Sequence, residues 1–338
     1  MPQFDIVSIG GAVRDHTLYV ADARFFSTPQ NLTAQKMIAF EYGSKIYAKS
    51  ARITIGGGAA NSSVALSRLG FKTAALCRLG RDAAALDILN TFKKEKVNTD
   101  LIQTDQEYLT SFSFILNTEK KDSDRTIFNY VGCGDFLAID HKKLKNLKAR
   151  WLYLSSLSGK SSADNLREIF KLAENNKIKV YWNPGLKQIQ AGKKFLANYL
   201  KQTEILTLNK DEAIELVLSG IKLGRRHPKH LNKPVYLLNI LQEWGPKIVM
   251  ITAGRKGAWV YDGKKIYTQK VKGSKVVDRT GVGDCYGSSF LAGYVYEKGN
   301  IKKALKYATI NSASVVTKVG AQNGLLTLKQ IKDKLKNN

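Results

Sequence analysis

The stretch that decides the fold is Asp278-Arg-Thr-Gly-Val-Gly-Asp-Cys-Tyr-Gly-Ser-Ser-Phe-Leu-Ala-Gly-Tyr294. Its later residues have helical periodicity, and Gly281 and Gly283 let the backbone curl just before that helix. The N–H groups of residues 281–284 then point at one place, at the positive end of the helix dipole. The stretch therefore predicts an anion-binding turn at a helix N-terminus.

Asp284 lies inside this predicted turn, where it can accept the proton of a hydroxyl that attacks a phosphoryl group. The competing interpretation is a glycine-rich helix start with Asp284 as an ordinary first-turn acid. A dinucleotide-binding fingerprint does not fit, because the glycine after Gly283 is Gly287, one residue too late. A Walker A loop does not fit either, since Leu154 stands where Gly159-Lys-Ser161 would require the first glycine.

A second glycine-rich element, Gly56-Gly-Gly-Ala-Ala-Asn61, also joins a predicted strand to a predicted helix. Three consecutive glycines permit a ligand to approach the backbone closely. Asn61 offers a donor and an acceptor, which a sugar hydroxyl requires. Taken alone, the element is equally well interpreted as a tight turn with a capping asparagine.

Beyond Gly56 the chain alternates between strand and helix patterns. Apolar strands are predicted at 151–154, 178–182, 205–208 and 247–252, and helical stretches separate them. This alternation is typical of an α/β fold with a doubly wound, mostly parallel sheet covered by helices on both faces.

Two β-rich segments, at about 12–55 and 105–130, interrupt this alternation. They are too short to fold alone, so we expect them to pair into a small β-sheet lid. The whole chain, 1–338, is then predicted to be a single domain. Residues 220–236 have no helix or strand period and predict a basic surface loop.

Lysine and arginine total 54 against 28 aspartate and glutamate residues, a formal net charge of +26. Such a charge is typical of proteins that bind nucleic acid or another polyanion. The lysines, however, are spread over nearly every predicted helix and turn, with no basic stripe interleaved with aromatic residues. We interpret them as a solvated surface, and nucleic acid is not the expected partner.

The remaining composition indicates a folded, cytoplasmic protein. The three cysteines lack metal-type or redox-type spacing, which favours buried, reduced thiols. No basic N-terminal region precedes an apolar stretch, and no apolar run is long enough to span a membrane, so no membrane association is expected.

The two glycine-rich elements, in this order and at this separation, resemble those of the ribokinase-like (PfkB) family of carbohydrate kinases, and the likeness covers essentially the whole chain. The resemblance implies that Asp284 is the catalytic base and that Gly281, Val282 and Gly283 form the anion hole.

The resemblance also implies binding roles for residues outside the anion hole. The substrate contacts would be Asp15, Gly57 and Asn61. The Asn-x-x-Glu element of the family matches Asn209 and Glu212, which would organise Mg²⁺ and phosphate, with Glu212 acting partly through water. The Thr-x-Gly-x-x-Gly element, which lines the nucleotide pocket, matches Thr252, Gly254 and Gly257.

The sequence departs from the family pattern at several positions. Arg279 stands where a small hydroxylated residue is common, and Cys285 and Tyr286 are somewhat bulkier than the usual pair of a small residue followed by an aromatic one. Ser155 and Ser156 follow a central strand where some sugar kinases carry an acid. The substrate is therefore the least determined part of the interpretation, and Arg125 is a further candidate that could reach it from the lid.

The first hypothesis is transfer of the γ-phosphoryl group of ATP, with Mg²⁺, to a hydroxymethyl group of a monosaccharide or sugar acid. A nucleoside kinase of the same family is the alternative, favoured if lid aromatics such as Phe25, Phe26 or Tyr42 stack on a base. From other classes, a non-catalytic polyanion-binding protein and a dinucleotide-dependent oxidoreductase stay open. A requirement for a monovalent cation is left open, and a homodimer formed through the lid is a further hypothesis.

Overall fold

The computed structural model describes residues 3–21, 23–28, 36–118, 125–222, 228–271 and 276–336. Within these residues the strands are β1 (Phe4–Ile9), β2 (Val13–Val20), β3 (Arg24–Ser27), β4 (Lys36–Ala39), β5 (Ala48–Gly56), β6 (Thr73–Leu76), β7 (Arg78–Leu79), β8 (Gln103–Thr104), β9 (Phe112–Thr118), β10 (Thr126–Tyr130), β11 (Ala149–Leu154), β12 (Lys179–Trp182), β13 (Ile205–Asn209), β14 (Ile248–Thr252), β15 (Ala258–Tyr261) and β16 (Ile266–Gln269).

The α-helices of the described residues are α1 (Gly58–Arg68), α2 (Ala83–Lys94), α3 (Ser162–Asn175), α4 (Leu186–Lys201), α5 (Lys210–Leu218), α6 (Pro234–Glu243), α7 (Val282–Tyr296), α8 (Ile301–Val315) and α9 (Leu328–Lys336). Short 3₁₀ helices occupy Gly132–Phe136, Pro228–Asn232 and Gly254–Lys256.

The main sheet has the strand order β16-β15-β14-β13-β12-β11-β1-β6. Strands from β14 to β6 pair in parallel, and β15 and β16 are antiparallel additions at one edge. The strands are continuous apolar runs because both faces of the sheet are covered. Val7 and Leu152 pack with α3 to α6 on one face, and Ile6 and Tyr153 pack with α7 and α8 on the other. The predicted α/β fold with a mostly parallel, doubly wound sheet is confirmed.

A second sheet has the order β10-β9-β2-β5, so strands of both β-rich segments pair in it. Strands β2 and β9 pair in parallel, and β5 and β10 flank them antiparallel. This is the small lid sheet that the sequence predicts. Strands β3 and β4 form a separate antiparallel hairpin, and residues 29–35 between them lie outside the described residues.

Two boundaries differ from the sequence predictions. Helix α1 begins at Gly58, so Asn61 lies inside the helix and its N–H donates to the carbonyl of Gly57 at 2.8 Å. The predicted loop 220–236 contains the 3₁₀ helix Pro228–Asn232, and α6 already begins at Pro234, because proline suits the first turn of a helix. Residues 223–227 of that loop lie outside the described residues.

The carboxyl ends of the parallel strands meet along one edge of the main sheet. Ser155 follows β11, and Asn209 and Thr252 end β13 and β14. Helices α1 and α7 pack against each other. In doubly wound sheets ligands bind at this edge. Among the described helices, none has both the length and the apolar character that crossing a bilayer requires.

Candidate active site

The site begins at the N-terminus of α7. Gly281 caps this helix in the left-handed conformation, with φ 69°. A Cβ atom on Gly281 would lie 2.2 Å from the Cβ atom of Ala321, so only glycine fits this turn. Gly283 has open space around it instead. The open backbone at Gly283 and the positive end of the helix dipole together suit an anion.

Asp284 lies in the first turn of α7 and is held by α1. Its Oδ2 atom accepts a hydrogen bond from Nδ2 of Asn61 at 2.8 Å. The Oδ1 atom of Asn61 in turn accepts from Nε2 of Gln322 at 3.2 Å. Because Asn61 is only 4% exposed and bonded on both ends of its amide, it fixes the orientation of the Asp284 carboxylate.

Burial raises the pKa of Asp284, and the hydrogen bond from Asn61 opposes this shift. A carboxylate with a raised pKa is a stronger base than an exposed aspartate. Residue Asp284 is therefore suited to remove a proton from a hydroxyl, which an ordinary capping acid is not arranged to do.

Asp15 lies on β2, on the inner face of the lid. It belongs to a row of polar side chains that crosses all four lid strands, formed by Thr54, Asp15, Ser113 and Asn129. Asp15 is 8% exposed, and its Oδ1 atom accepts from the hydroxyl of Ser113 at 2.5 Å. Burial raises the pKa of Asp15, whereas the Ser113 hydroxyl and the Arg125 guanidinium lower it.

The glycine turn before α1 lies between these two carboxylates. A Cβ atom on Gly56 would lie 2.3 Å from Oδ2 of Asp15, and one on Gly58 would lie 3.9 Å from Oδ1 of Asp284. Gly57 has φ 92°, and its Cβ would lie 2.5 Å from the carbonyl oxygen of Gly11. The turn requires glycine because the backbone of the β1–β2 connection packs directly against it, and the turn lies close to both Asp15 and Asp284.

On the other side of the α7 N-terminus lies a cleft of about 520 Å³. The ends of β13 and β14, the first turn of α7 and the C-terminal end of α8 line it. The lining includes five residues that the sequence predicted for the nucleotide or its phosphates: Asn209, Thr252, Gly254, Val282 and Gly283. Much of the remaining lining is apolar, with Val271, Val276 and Val316 among it. Apolar walls next to a helix N-terminus suit a molecule with a ring system and phosphates.

Two of the predicted nucleotide-site residues have structural roles outside this lining. A Cβ atom on Gly257 would lie 2.0 Å from the carbonyl oxygen of Gln269, so the packing of β15 against β16 requires glycine there. Glu212 forms a capping box with Asn209: the Asn209 N–H donates to Oε2 of Glu212 at 2.7 Å, and the Glu212 N–H donates to Oδ1 of Asn209 at 2.9 Å. Nucleotide contacts by Gly257 and Glu212 stay predictions.

The carboxylate of Glu212 nevertheless fits a divalent cation. Burial raises its pKa, and the Asn209 backbone N–H opposes that shift. The capping box occupies Oε2 and leaves Oε1 without a hydrogen bond to any described residue. A hard cation with oxygen ligands and several waters would compensate such a desolvated charge.

Sequence reasoning missed Gln322 and Ser113, which hold Asn61 and Asp15. No local pattern marks either of them, since Gln322 lies in an irregular segment after α8 and Ser113 in an ordinary lid strand. Arg279, noted only as a departure from the family pattern, lines the cleft, and Tyr286 does so too.

Such a site, at the carboxyl ends of a parallel sheet, is typical of α/β phosphotransferases. A family model described as pfkB family carbohydrate kinase matches residues 30–328. The chain belongs to this family, as the two glycine-rich elements predict.

Similar proteins agree with this assignment. A ribokinase from Haemophilus influenzae is 26% identical over 306 residues, covering 88% of this chain and 94% of the relative. A nucleoside kinase from Methanocaldococcus jannaschii is 26% identical over 300 residues, covering 87% of this chain and 90% of the relative. The structure of an Arabidopsis thaliana ribokinase complexed with ribose and ATP superimposes with a TM-score of 0.76 at 19% identity, covering 99% of both chains.

Proposed function

We propose that this protein transfers the γ-phosphoryl group of ATP to a hydroxymethyl group of a monosaccharide or sugar acid. The observation that carries the proposal is the position of Asp284, which Asn61 orients at the start of α7, between the glycine turn next to Asp15 and the apolar cleft. Phosphoryl transfer asks mainly for positioning and charge stabilisation, and both are present at this helix start.

In this mechanism Asp284 accepts the proton of the attacking hydroxyl as the new O–P bond forms. The N–H groups of residues 281–284 stabilise the negative charge that develops on the phosphoryl oxygens. Asp15 accepts hydrogen bonds from other hydroxyls of the substrate and orients it. Asn61 is proposed to act on the substrate mainly through Asp284, because its amide is already bonded at both ends.

The cleft holds the nucleotide, with Thr252 and Gly254 along its wall and Asn209 at the end of β13. Mg²⁺ would neutralise part of the negative charge of the phosphates. Glu212 would hold this ion partly through water, using the carboxylate oxygen that the capping box leaves open.

Glu212→Gln is expected to raise the Mg²⁺ concentration for half-maximal rate about tenfold. The melting temperature should not change, because glutamine also completes a capping box. A titration of turnover with Mg²⁺ at fixed ATP measures the effect, and Glu215→Gln on the exposed side of the same helix is the control. An unchanged Mg²⁺ dependence in Glu212→Gln would show that Glu212 only caps α5.

A nucleoside is the second candidate for the acceptor. The Methanocaldococcus jannaschii relative is a nucleoside kinase, and Ser155 and Ser156 stand where some sugar kinases carry an acid. Phe25 and Phe26 are exposed on the β3–β4 hairpin, where aromatic rings could stack on a base.

The direct test is an assay of ADP release with Mg-ATP against pentoses, hexoses, sugar acids and nucleosides, with and without K⁺. Turnover that depends on one class of acceptor supports the proposal and identifies that class. If the protein binds ATP but no acceptor stimulates ADP release, the proposed activity is wrong. Stimulation by K⁺ over Na⁺ would establish the monovalent-cation requirement.

We also propose that the protein forms a homodimer through the outer face of the lid. One cross-strand row on this face consists of Ile53, His16, Phe114 and Phe128. Phe114 is 43% exposed and Phe128 58% exposed, and the rings of His16 and Phe114 lie 5.2 Å apart. Three exposed apolar side chains in one row, Ile53, Phe114 and Phe128, suit a surface that a partner covers.

Phe128→Glu is expected to convert the dimer to a monomer, because it places a charge at the end of this row, on the edge strand β10. Light scattering measures the mass, and Leu186→Glu, on the exposed side of α4, should stay dimeric. A monomeric wild type would refute the proposal.

A further inference from the structure

Two arginines line the nucleotide cleft, and neither has a family counterpart among the predicted site residues. Arg279 precedes the glycine turn of α7, and Arg255 lies in the 3₁₀ helix that follows β14. Both are exposed. None of the described lining residues carries a carboxylate, so the two arginines give the otherwise mostly apolar lining a net positive charge.

Neither guanidinium forms an ion pair or a hydrogen bond with a described residue. Two other arginines, by contrast, have carboxylate partners: Arg68 pairs with Glu95 at 2.7 Å, and Arg78 pairs with Asp105 at 2.7 Å. Two guanidinium groups that line the same cleft without carboxylate partners repel each other, and an anion bound between them removes this repulsion. Their charge is therefore available to a ligand of the cleft.

The chemistry of the ligand follows from two features of the cleft, its apolar walls and the helix N-terminus beside it. Its apolar walls suit a ring system, and the α7 N-terminus suits phosphate. Arg279 lies five residues before Asp284 and two before Gly281, which places it at the phosphate end. The planar guanidinium binds two oxygens of one phosphate, or oxygens of neighbouring phosphates, with paired hydrogen bonds.

We propose that Arg279, together with Arg255, binds the phosphate chain of the nucleotide donor and so makes the cleft select polyphosphorylated nucleotides. This inference rests on the proposed function and adds side-chain recognition of the donor to the backbone anion hole. Arg279 is the main contact because it adjoins the turn that stabilises the phosphoryl group as it passes to the acceptor hydroxyl.

Direct binding, measured by calorimetry without acceptor, tests the proposal independently of turnover. The ligands are ATP, ADP, adenosine and inorganic tripolyphosphate, and the variants are Arg279→Gln, Arg279→Lys and Arg255→Gln. Arg279→Gln is expected to weaken ATP and tripolyphosphate about 30-fold and adenosine less than about twofold, because only the phosphates lose a partner. Arg279→Lys should restore part of the affinity, and Arg255→Gln should give a smaller loss.

Lys256→Gln is the matched control, since Lys256 adjoins Arg255 and is exposed but does not line the cleft. It should bind ATP like the wild type. Equal weakening of ATP and adenosine by Arg279→Gln, or no weakening of either, overturns the inference while the kinase proposal stands. A wild type that binds no ATP overturns both.

Discussion

Asp284→Asn is expected to lower kcat by about 10³-fold, because the amide cannot accept the proton of the attacking hydroxyl. ATP binding should be unchanged or tighter, since the substitution removes a negative charge next to the phosphates. The assay of ADP release measures turnover, and calorimetry measures binding. Asp333→Asn, an exposed aspartate on α9, is the control and should retain full activity.

The same variant is expected to be at least as stable as the wild type at pH 8. Burial raises the folded-state pKa of Asp284 above its unfolded value. Such a group contributes stability below its unfolded pKa and loses that contribution as the pH rises through the folded pKa. The buried carboxylate therefore costs stability at neutral pH, and the uncharged amide of the Asp284→Asn variant avoids this cost.

Melting curves between pH 4 and pH 8 test this linkage. The melting-temperature difference between Asp284→Asn and the wild type should shrink as the pH falls through the folded-state pKa of Asp284, because the protonated carboxyl is then as uncharged as the amide. The wild-type rate should also fall towards acidic pH, as Asp284 takes up its proton. A variant that is less stable than the wild type at pH 8 would show that the carboxylate contributes to the fold through contacts other than that with Asn61.

Gly281→Ala is the second substitution with a large expected effect, a loss of about 3 kcal/mol of unfolding free energy. Its φ of 69° lies in the left-handed region, which costs an alanine about 1–2 kcal/mol. The new Cβ would also lie 2.2 Å from the Cβ of Ala321 and 3.3 Å from Nδ2 of Asn61. Because the displaced Asn61 orients Asp284, kcat should fall together with stability.

Gly283→Ala is the matched control for backbone strain. Gly283 has no left-handed φ, and a Cβ there meets no atom within 4 Å. The variant should keep the wild-type melting temperature, whereas its KM for ATP should rise because the methyl group enters the space where a phosphate would approach. Denaturant unfolding and initial rates separate the two effects. Equal stability losses at positions 281 and 283 would contradict the assignment of strain to Gly281.

The α/β class, the lid sheet, and the glycine turn at the start of α7 could all be predicted from the sequence. Each of these follows from local signals: apolar runs bounded by turns predict strands, and glycines before a helical period predict an anion-binding turn. The position of Asp284 in that turn is equally local, because it lies three residues after Gly281. These features depend on residues that are close together in the chain, so the sequence is sufficient to predict them.

The surroundings of Asp284 and Asp15, by contrast, depend on contacts between residues far apart in the chain. Asn61 and Asp284 are 223 residues apart, and Gln322 reaches Asn61 from beyond α8. The parallel pairing of β2 with β9 sets Ser113 beside Asp15. The same holds for Gly257, whose packing against Gln269 explains the glycine without a ligand. Strand register and helix packing decide where such side chains point, and neither is encoded in the residues next to them.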